Sequence, residues 1–372
     1  MTTVLDKQLV LEKISVPGYH KVIRAREPQS GLDAIIAIHD VRLSPVSLGG
    51  TRIYPYASFE QALEDVLRLS KGMTYKAVSS QSPWAGAKAV IIADPKKGKS
   101  KELLQAFGEA VHRLNGEYIC AEDSGCSPED LEVVAQSTPY VVGLPHEKSS
   151  GNPSPFTAWG VFKGIQAVMY QLFGSDSVEG RTIAIQGLGS VGSRLAEFLF
   201  WHGAKLIVTD AHMEKAAQIA KQFNAKLVTP DAIYEQPCDV FAPCALGAII
   251  NSQTIEKLRC RAIAGAANNQ LLADTDAEEL RRLGILYAPD FVINSAGLIN
   301  VTAETFEEGY NPEAVRTKID EIYRQLRLIF DIARKHEIST LKAVMQLIDY
   351  RLEHGIGKRQ EPIYMHHAGV KY

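Results

Sequence analysis

From about residue 34 the chain alternates between short apolar runs and stretches whose apolar side chains recur every three or four residues. The run "AIIAIHDVRL" predicts a strand. Ser58 with Gln61 reads as a capping box, and Leu63, Val66, Leu67 and Leu69 then keep helical spacing. "AKAVIIAD" predicts a short buried strand, "KELLQAFGEAVHRLNG" a helix stopped by Gly116, and "EYICAED" another strand. Ser127 and Pro128 supply the cap and first helical residue of "SPEDLEVVAQ". "PHEKSSGNPSP", rich in Pro, Ser and Gly, marks a boundary. Beyond it, the helix "PFTAWGVFKGIQAVMYQLFG" introduces a second series of strands: "TIAIQ", "AKLIVTD", "CDVFAPC", "RAIAGAA" and "ILYAP". Pro312 to about Leu352 is helical by period. Strands alternating with helices predict an α/β fold with parallel sheets.

Composition narrows the class. A length of 372 residues exceeds one ordinary core, so two domains are expected. Hydrophobic residues at 46% and charged ones at 22% are ordinary globular usage. A net charge of -3 argues against a nucleic-acid surface. No apolar run approaches the roughly 20 residues of a membrane helix, and "MTTVLDKQLVLEKISVPGYH" has no signal-peptide apolar block. Five cysteines without CxxC spacing suit free thiols in a reducing cytoplasm. His366 and His367 stand alone in a polar tail, no zinc-ligand spacing occurs elsewhere, and no metal is expected.

The strongest local signal is "TIAIQGLGSVGSRLAEFLFWHGAKLIVTD". A strand runs into Gly187-Leu188-Gly189-Ser190-Val191-Gly192, a helix follows, and a second strand ends at Asp210. In dinucleotide sites the first glycine makes the turn and the second admits the pyrophosphate to the backbone. The third lets helix and strand pack closely, and the helix N-terminus faces the phosphates. Asp210 is placed to accept from the adenosine ribose hydroxyls and to repel a 2′-phosphate, which favours NAD over NADP. A lone GxGxxG is weak, but strand, helix, second strand and terminal acid are all in register here. A flavin or S-adenosyl cofactor on a similar fold is the competing reading, and neither accounts for the lysines described next.

"KGMTYKAVSSQSPWAGAKAV" places Lys76 and Lys88 around small residues beside a buried strand, and "AEDSG" puts Glu122 and Asp123 at the end of another. Taken singly, the lysines read as solvated charges and the acids as a helix cap. Together they suggest one ammonium for a carboxylate, a second for the reacting carbon, and a carboxylate to move protons. A desolvated lysine near another cation loses its proton more readily.

The motifs "LGGTR", "ALEDVLRLSKGMTYK", "GAKAVI", "AEDSG", "SSGNPSPFTAWGV", "GLGSVG", "PCALGA", "GAANNQL" and "NSAGLINV" run along nearly the whole chain. Together they resemble the glutamate/leucine/phenylalanine/valine dehydrogenase superfamily, most closely its leucine dehydrogenase branch. The resemblance implies two domains around a hinged cleft. A substrate-binding and catalytic α/β domain (1–148) is joined by C-terminal helices (337–372), and a Rossmann-type NAD-binding domain spans 149–336. It implies reversible oxidative deamination of an L-amino acid to a 2-oxo acid and ammonium, in a homo-oligomer. Lys76 would hold the α-carboxylate, Lys88 would be catalytic, and Asp123 its proton partner. Gly49 and Gly50 would leave room for the substrate backbone. Leu48, Ala121, Leu298 and Val301 would line the side-chain pocket. Thr157 and Asn269 would contact the nicotinamide end and Ala245 the adenine side, with Asn294 at the nicotinamide or the hinge.

Two positions depart from the family's glycine-rich approach to the catalytic lysine, Trp84 and Ala85, and both bear on the shape of the substrate site. Cys126, Cys244 and Trp159 read as packing residues, and the charges of 96–102 as a solvated turn. The apolar pocket positions favour branched aliphatic substrates. The alternatives are an aromatic amino-acid dehydrogenase, acting on phenylalanine or tryptophan, and a catalytically silent NAD-binding protein.

Overall fold

The turn "EPQSG" shows how the first sheet begins. Ser30 donates its backbone N–H to Glu27, and Gly31 takes a left-handed φ of +75°, which folds the strands on either side into a hairpin. The computed structural model describes residues 9–145 and 148–371, so His146 and Glu147 of the expected boundary segment, and the first eight residues, lie outside the described residues. The hairpin pairs β2 (Lys21–Glu27) with β3 (Leu32–Ile38), and β1 (Val10–Ile14) adds to β2, all antiparallel. β4 (Ser47–Tyr54) crosses through α1 (Phe59–Ser79) to β5 (Ala85–Ile92), and α2 (Lys101–Arg113) leads to β6 (Tyr118–Glu122). β4 lies parallel to both β5 and β6, giving a six-stranded sheet in the order β1-β2-β3-β5-β4-β6. This sheet is mixed, which corrects the expectation of parallel sheets throughout. The short connections before β3 have no room for the helical crossover that parallel neighbours require.

β3 and β5 are buried along nearly their whole length. Ala62 and Val66 of α1 pack with Val22, Ile35, Ala37 and Val90, each large aliphatic contributing about 1.5–3 kcal/mol on burial. Ser58 caps α1 by accepting from the Gln61 N–H, while the Gln61 side chain reaches back to Ala57 rather than Ser58. α3 (Pro128–Ala135) opens on the reciprocal form, with Ser127 and Asp130 satisfying each other's backbone.

After α4 (Ser154–Phe173) comes a second sheet, built by β7 (Thr182–Gln186), α5 (Ser190–Trp201), β8 (Lys205–Thr209), α6 (Met213–Gln222) and β9 (Lys226–Leu227). It continues through β10 (Cys238–Pro243), α7 (Ser252–Ile255), β11 (Cys260–Ile263), α8 (Thr275–Arg282) and β12 (Leu286–Tyr287). Every pairing is parallel, in the order β12-β11-β10-β7-β8-β9. Read from β7, that is the doubly wound 3-2-1-4-5-6 order of the Rossmann fold. α9 (Asp290–Ile293), α10 (Ala296–Thr302), α11 (Pro312–His336) and α12 (Thr340–Glu353) follow, then a small β-hairpin of β13 (Tyr364–Met365) and β14 (Val370–Lys371). The helical period after Pro312 is broken at Glu337, whose φ of +53° ends α11.

The chain divides into two compact units. The first holds the described residues through Gly151 with Val301–Pro312 and those from Arg351 on; the second holds Asn152–Asn300 and Glu313–Tyr350. The C-terminal division differs from the expected one. α12 joins the second unit through bonds at its start, Thr340 Oγ1 to the Tyr287 carbonyl and Ser339 Oγ to Glu278. Val301–Pro312 joins the first because buried Glu304 accepts the backbone N–H groups of Gly143 and Ser150.

Candidate active site

Three parallel strands of the first unit converge on one ion pair. β4 carries Gly49, Gly50 and Arg52, β5 carries Lys88, and Asp123 follows the last residue of β6. Asp123 lies just beyond the carboxyl end of β6, where α/β proteins collect functional groups, while Lys88 and Gly50 sit midway along their strands. Lys88, 7% exposed, places Nζ 3.0 Å from Asp123 Oδ2. Arg52 Nε donates to the same oxygen at 3.0 Å, and its Nη1 reaches Asp65 Oδ2 on α1 at 2.9 Å. Asp65 is itself held by the Tyr56 hydroxyl at 2.6 Å and by Arg68 at 2.9 Å.

Electrostatics follow from this cluster. Burial pushes the Asp123 carboxyl up, but the charges and hydrogen bonds of Lys88 and Arg52 outweigh it and hold the group below the usual carboxylate range. Glu122 moves the other way, raised by burial and by the charges of Asp123 and Glu129. The neighbouring acids are thereby separated in strength, and Asp123 is the ionised one beside the lysine.

Both glycines of β4 permit close approach of the neighbouring strands. A Cβ on Gly50 would meet the Glu122 carbonyl oxygen at 2.6 Å, Asp123 Cβ at 2.9 Å and Lys88 Nζ at 3.1 Å, so glycine there lets β6 and the ion pair lie close against β4. A Cβ on Gly49 would meet the Ala87 carbonyl oxygen at 1.8 Å, so that glycine is needed for strand packing. Buried Tyr118 donates its hydroxyl to the Gly49 carbonyl at 2.9 Å. Leu48 and Ala121 are buried in β4 and β6, with Ala121 paired to Gly50.

Lys76 sits half-buried in the last turn of α1, where the hydroxyls of Ser79 and Ser80 donate to its carbonyl. α1 lies tightly on β5, since a Cβ on Gly86 would approach the Thr74 nitrogen to 2.1 Å. Trp84 is 2% exposed and lies under the guanidinium of Arg359, which also donates to the Pro83 carbonyl; Ala85 is buried and paired with Ser47. Both departures from the family pattern are therefore absorbed by packing.

In the second unit the loop after β7 meets each demand of a dinucleotide cradle. Gly187 has a left-handed φ of +95°, and a Cβ there would strike Ala245 Cβ at 2.6 Å on the loop after β10. Those loops flank the point where strand order reverses. A Cβ on Gly192 would lie 1.9 Å from the Gly187 carbonyl oxygen, whereas one on Gly189 would meet nothing. Gly189 and Ser190 are exposed at the N-terminus of the 12-residue α5, with Val191 half-buried behind them. Asp210 accepts from the Leu188 and His212 N–H groups at 2.6 and 2.8 Å. Burial raises its pKa, but these donors and Lys215 carry it below the usual value. An open backbone at a helix N-terminus beside an ionised acid fits the pyrophosphate and ribose of NAD.

The remaining expected positions in the second unit divide. Thr157 donates to the Pro153 carbonyl and would lie 3.1 Å from a Cβ on Gly297. Asn269 is exposed with φ +51°, a conformation asparagine tolerates. Asn294 donates to Asn268 and to the Ala266 carbonyl, and its own amide oxygen is buried, which ties it to that loop. Leu298, on α10, is buried in the second unit; Val301, later on the same helix, is half-buried in the first.

The packing residues behave as expected. Cys126 is 4% exposed, its thiol pushed up to about 12 by burial, and burial raises Cys244 to about 11. Trp159 stacks on Phe162 and donates to Asp320. The 96–102 turn is less free than expected, because Lys99 bonds Asp130 at 2.6 Å. Sequence reasoning overlooked Arg52, although it closes the "LGGTR" motif, and its partners Asp65 and Tyr56. A guanidinium two residues beyond the paired glycines was the available signal.

A parallel sheet in this order with a glycine cradle, in a chain that also pairs a buried lysine with a half-buried aspartate, defines a dinucleotide-dependent dehydrogenase. Residues 20–140 match the family described as Glu/Leu/Phe/Val dehydrogenase, dimerisation domain, and residues 208–347 match Glutamate/Leucine/Phenylalanine/Valine dehydrogenase. The chain is 47% identical to a leucine dehydrogenase of Geobacillus stearothermophilus, over 90% of this chain and 91% of that one. It is 46% identical to a phenylalanine dehydrogenase of Caldalkalibacillus thermarum, over 91% and 92% of the two chains. The crystal structure of L-tryptophan dehydrogenase from Nostoc punctiforme superposes with a TM-score of 0.81 at 42% identity, covering 91% of this chain and 97% of that chain. The chain belongs to the Glu/Leu/Phe/Val dehydrogenase family and is an NAD-dependent amino-acid dehydrogenase.

Proposed function

We propose that the protein catalyses the reversible oxidative deamination of apolar, branched-chain aliphatic L-amino acids to 2-oxo acids and ammonium. The observation that carries this reading is the ion pair of buried Lys88 with half-buried Asp123, held close against Gly50. Lys76 holds the substrate α-carboxylate through a charge-assisted contact. Gly187–Gly192, Asp210, Thr157, Ala245 and Asn269 would hold NAD, which would supply the acceptor for the hydride of the α-carbon. Lys88 assists addition of water to the resulting iminium, and Asp123 moves the proton as the carbinolamine collapses. The substrate domain is the first unit and the cofactor domain the second. Leu48, Ala121, Leu298 and Val301, the positions assigned to the substrate side chain, carry no charge, and an unpaired carboxylate against such residues would cost several kcal/mol.

The protein works as a homo-oligomer in the cytoplasm. Support comes from the dimerisation domain named in the family match and from cysteines that are all free. Among the described residues no helix is long and apolar enough to cross a membrane.

Lys88→Ala and Asp123→Asn test the mechanism. Each is expected to lower turnover by about 10²–10⁴-fold while NADH binding, followed by its fluorescence, stays near that of the parent. Near-parent turnover in Lys88→Ala on every amino acid would contradict the assignment.

A further inference from the structure

Lys88 and Arg52 both bond Asp123 at one oxygen, Oδ2, each at 3.0 Å, and the side-chain contacts of Asp123 with described residues all fall on that atom. We propose that Arg52 is the positioning residue of the acid–base step, fixing the Asp123 carboxylate through Oδ2 so that Oδ1 is the oxygen that exchanges a proton with the substrate. This rests on the role given to Asp123 above.

The geometry gives Arg52 two anchors. Its Nε and Nη1 point to different carboxylates, Asp123 on one side and Asp65 on the other, so the planar guanidinium is held at both ends. Asp65 is fixed in turn by Tyr56 and Arg68. A rigid chain from α1 through β4 to the end of β6 thus sets the rotation of the Asp123 carboxylate. Lys88 also touches Oδ2, but it handles the reacting carbon, so an independent anchor keeps Asp123 in place while Lys88 works. As the carbinolamine collapses, its hydroxyl proton passes through Oδ1 to the departing nitrogen. The C=O bond forms as the C–N bond breaks, and Asp123 ends ionised as it began.

The charged neighbours of Asp123 determine the sign of the pH effect. Lys88 faces it from β5 and Arg52 from β4; Glu122 adjoins it at the end of β6, and Glu129 of α3 acts on Glu122. Cys126 and Tyr118 stay neutral because burial raises both. Asp65 acts through Arg52. Two cations therefore favour the ionised carboxylate, and deleting Arg52 leaves one.

The test uses the full chain with NAD and L-leucine, comparing Arg52→Gln, Arg52→Lys and Asp123→Asn across pH. Arg52→Gln is expected to lower kcat at least about tenfold and to move the acid limb of the kcat/KM profile up by about one unit, with KM for leucine little changed. Arg52→Lys restores the acid limb, because the charge returns, but only part of kcat, because the two-ended fork does not. A parent acid limb in a folded Arg52→Gln enzyme overturns the proposal. So does parent kcat in Arg52→Lys, which remains readable where Arg52→Gln fails to fold. If Asp123→Asn is itself fully active, the reading of Asp123 fails; if it is inactive while Arg52→Gln behaves as the parent, only the role of Arg52 fails.

Discussion

The Arg359 guanidinium lies 4.4 Å from the centre of the Trp84 ring, joining the C-terminal segment to the residue that precedes the lysine-bearing strand. Arg359 also bonds backbone on both sides, its N–H to the Leu43 carbonyl and its Nε to the Pro83 carbonyl. Trp84→Ala should therefore cost about 3–5 kcal/mol through the cavity it leaves, and Arg359→Ala about 1–3 kcal/mol. Denaturant unfolding measures both. The ratio of efficiencies for leucine and phenylalanine should stay at the parent value in Trp84→Phe. A large change in that ratio would return Trp84 to the substrate wall.

The Lys88–Asp123 pair links stability to pH with a definite sign. The folded Asp123 carboxyl lies below its unfolded value, so its contribution is present above the unfolded carboxylate pKa and is lost as pH falls through the lower, folded one. Urea midpoints measured from neutral pH downward should drop more steeply in the parent than in Asp123→Asn. Parallel curves would show that the pair adds nothing to acid stability.

Much of this was legible in the chain. The Rossmann unit was, because Gly187, Gly192 and Asp210 perform local tasks that a βαβ segment states in its own sequence. The caps at Ser58 and Ser127 were local too. β4 carries no clear strand signal, because paired glycines weaken one, and only pairing with β5 and β6 makes "SLGGTRIY" extended. The antiparallel strands β1 and β2 carry charged residues among their apolar ones and become strands through their pairing with each other and with β3. Arg52 needs Asp65 on a helix and Asp123 on another strand, and Trp84 needs Arg359 from the far end of the chain. Such contacts have no local periodicity to announce them.

Asp210 is expected to set the coenzyme preference. Its ionised carboxylate at the end of β8 should disfavour a 2′-phosphate by more than about 1.4 kcal/mol, a tenfold preference for NAD. Catalytic efficiencies with NAD and NADP, in the parent and in Asp210→Asn, provide the check. Equal use of NADP by the parent would remove Asp210 from this role.

Lys76→Ala separates binding from chemistry. Loss of an ammonium–carboxylate contact should raise KM for the amino acid strongly, by about 1.5–3 kcal/mol of binding, with a smaller effect on kcat than Lys88→Ala. A change confined to kcat would place Lys76 in the chemical step instead.

The protein is expected to act as a dehydrogenase of apolar amino acids, with branched aliphatic chains preferred. Apolar side chains that differ by one methylene are discriminated by only about 1–3 kcal/mol. Overlapping activity on several apolar substrates is therefore expected. The most direct measurement is the kcat/KM of the full chain with NAD for leucine, isoleucine, valine, phenylalanine, tryptophan and glutamate, followed as NADH formation. Leucine, isoleucine and valine should lead, with glutamate far behind. Glutamate as the best substrate, or no NADH from any of them, would contradict the account; an aromatic leader would overturn the preference alone.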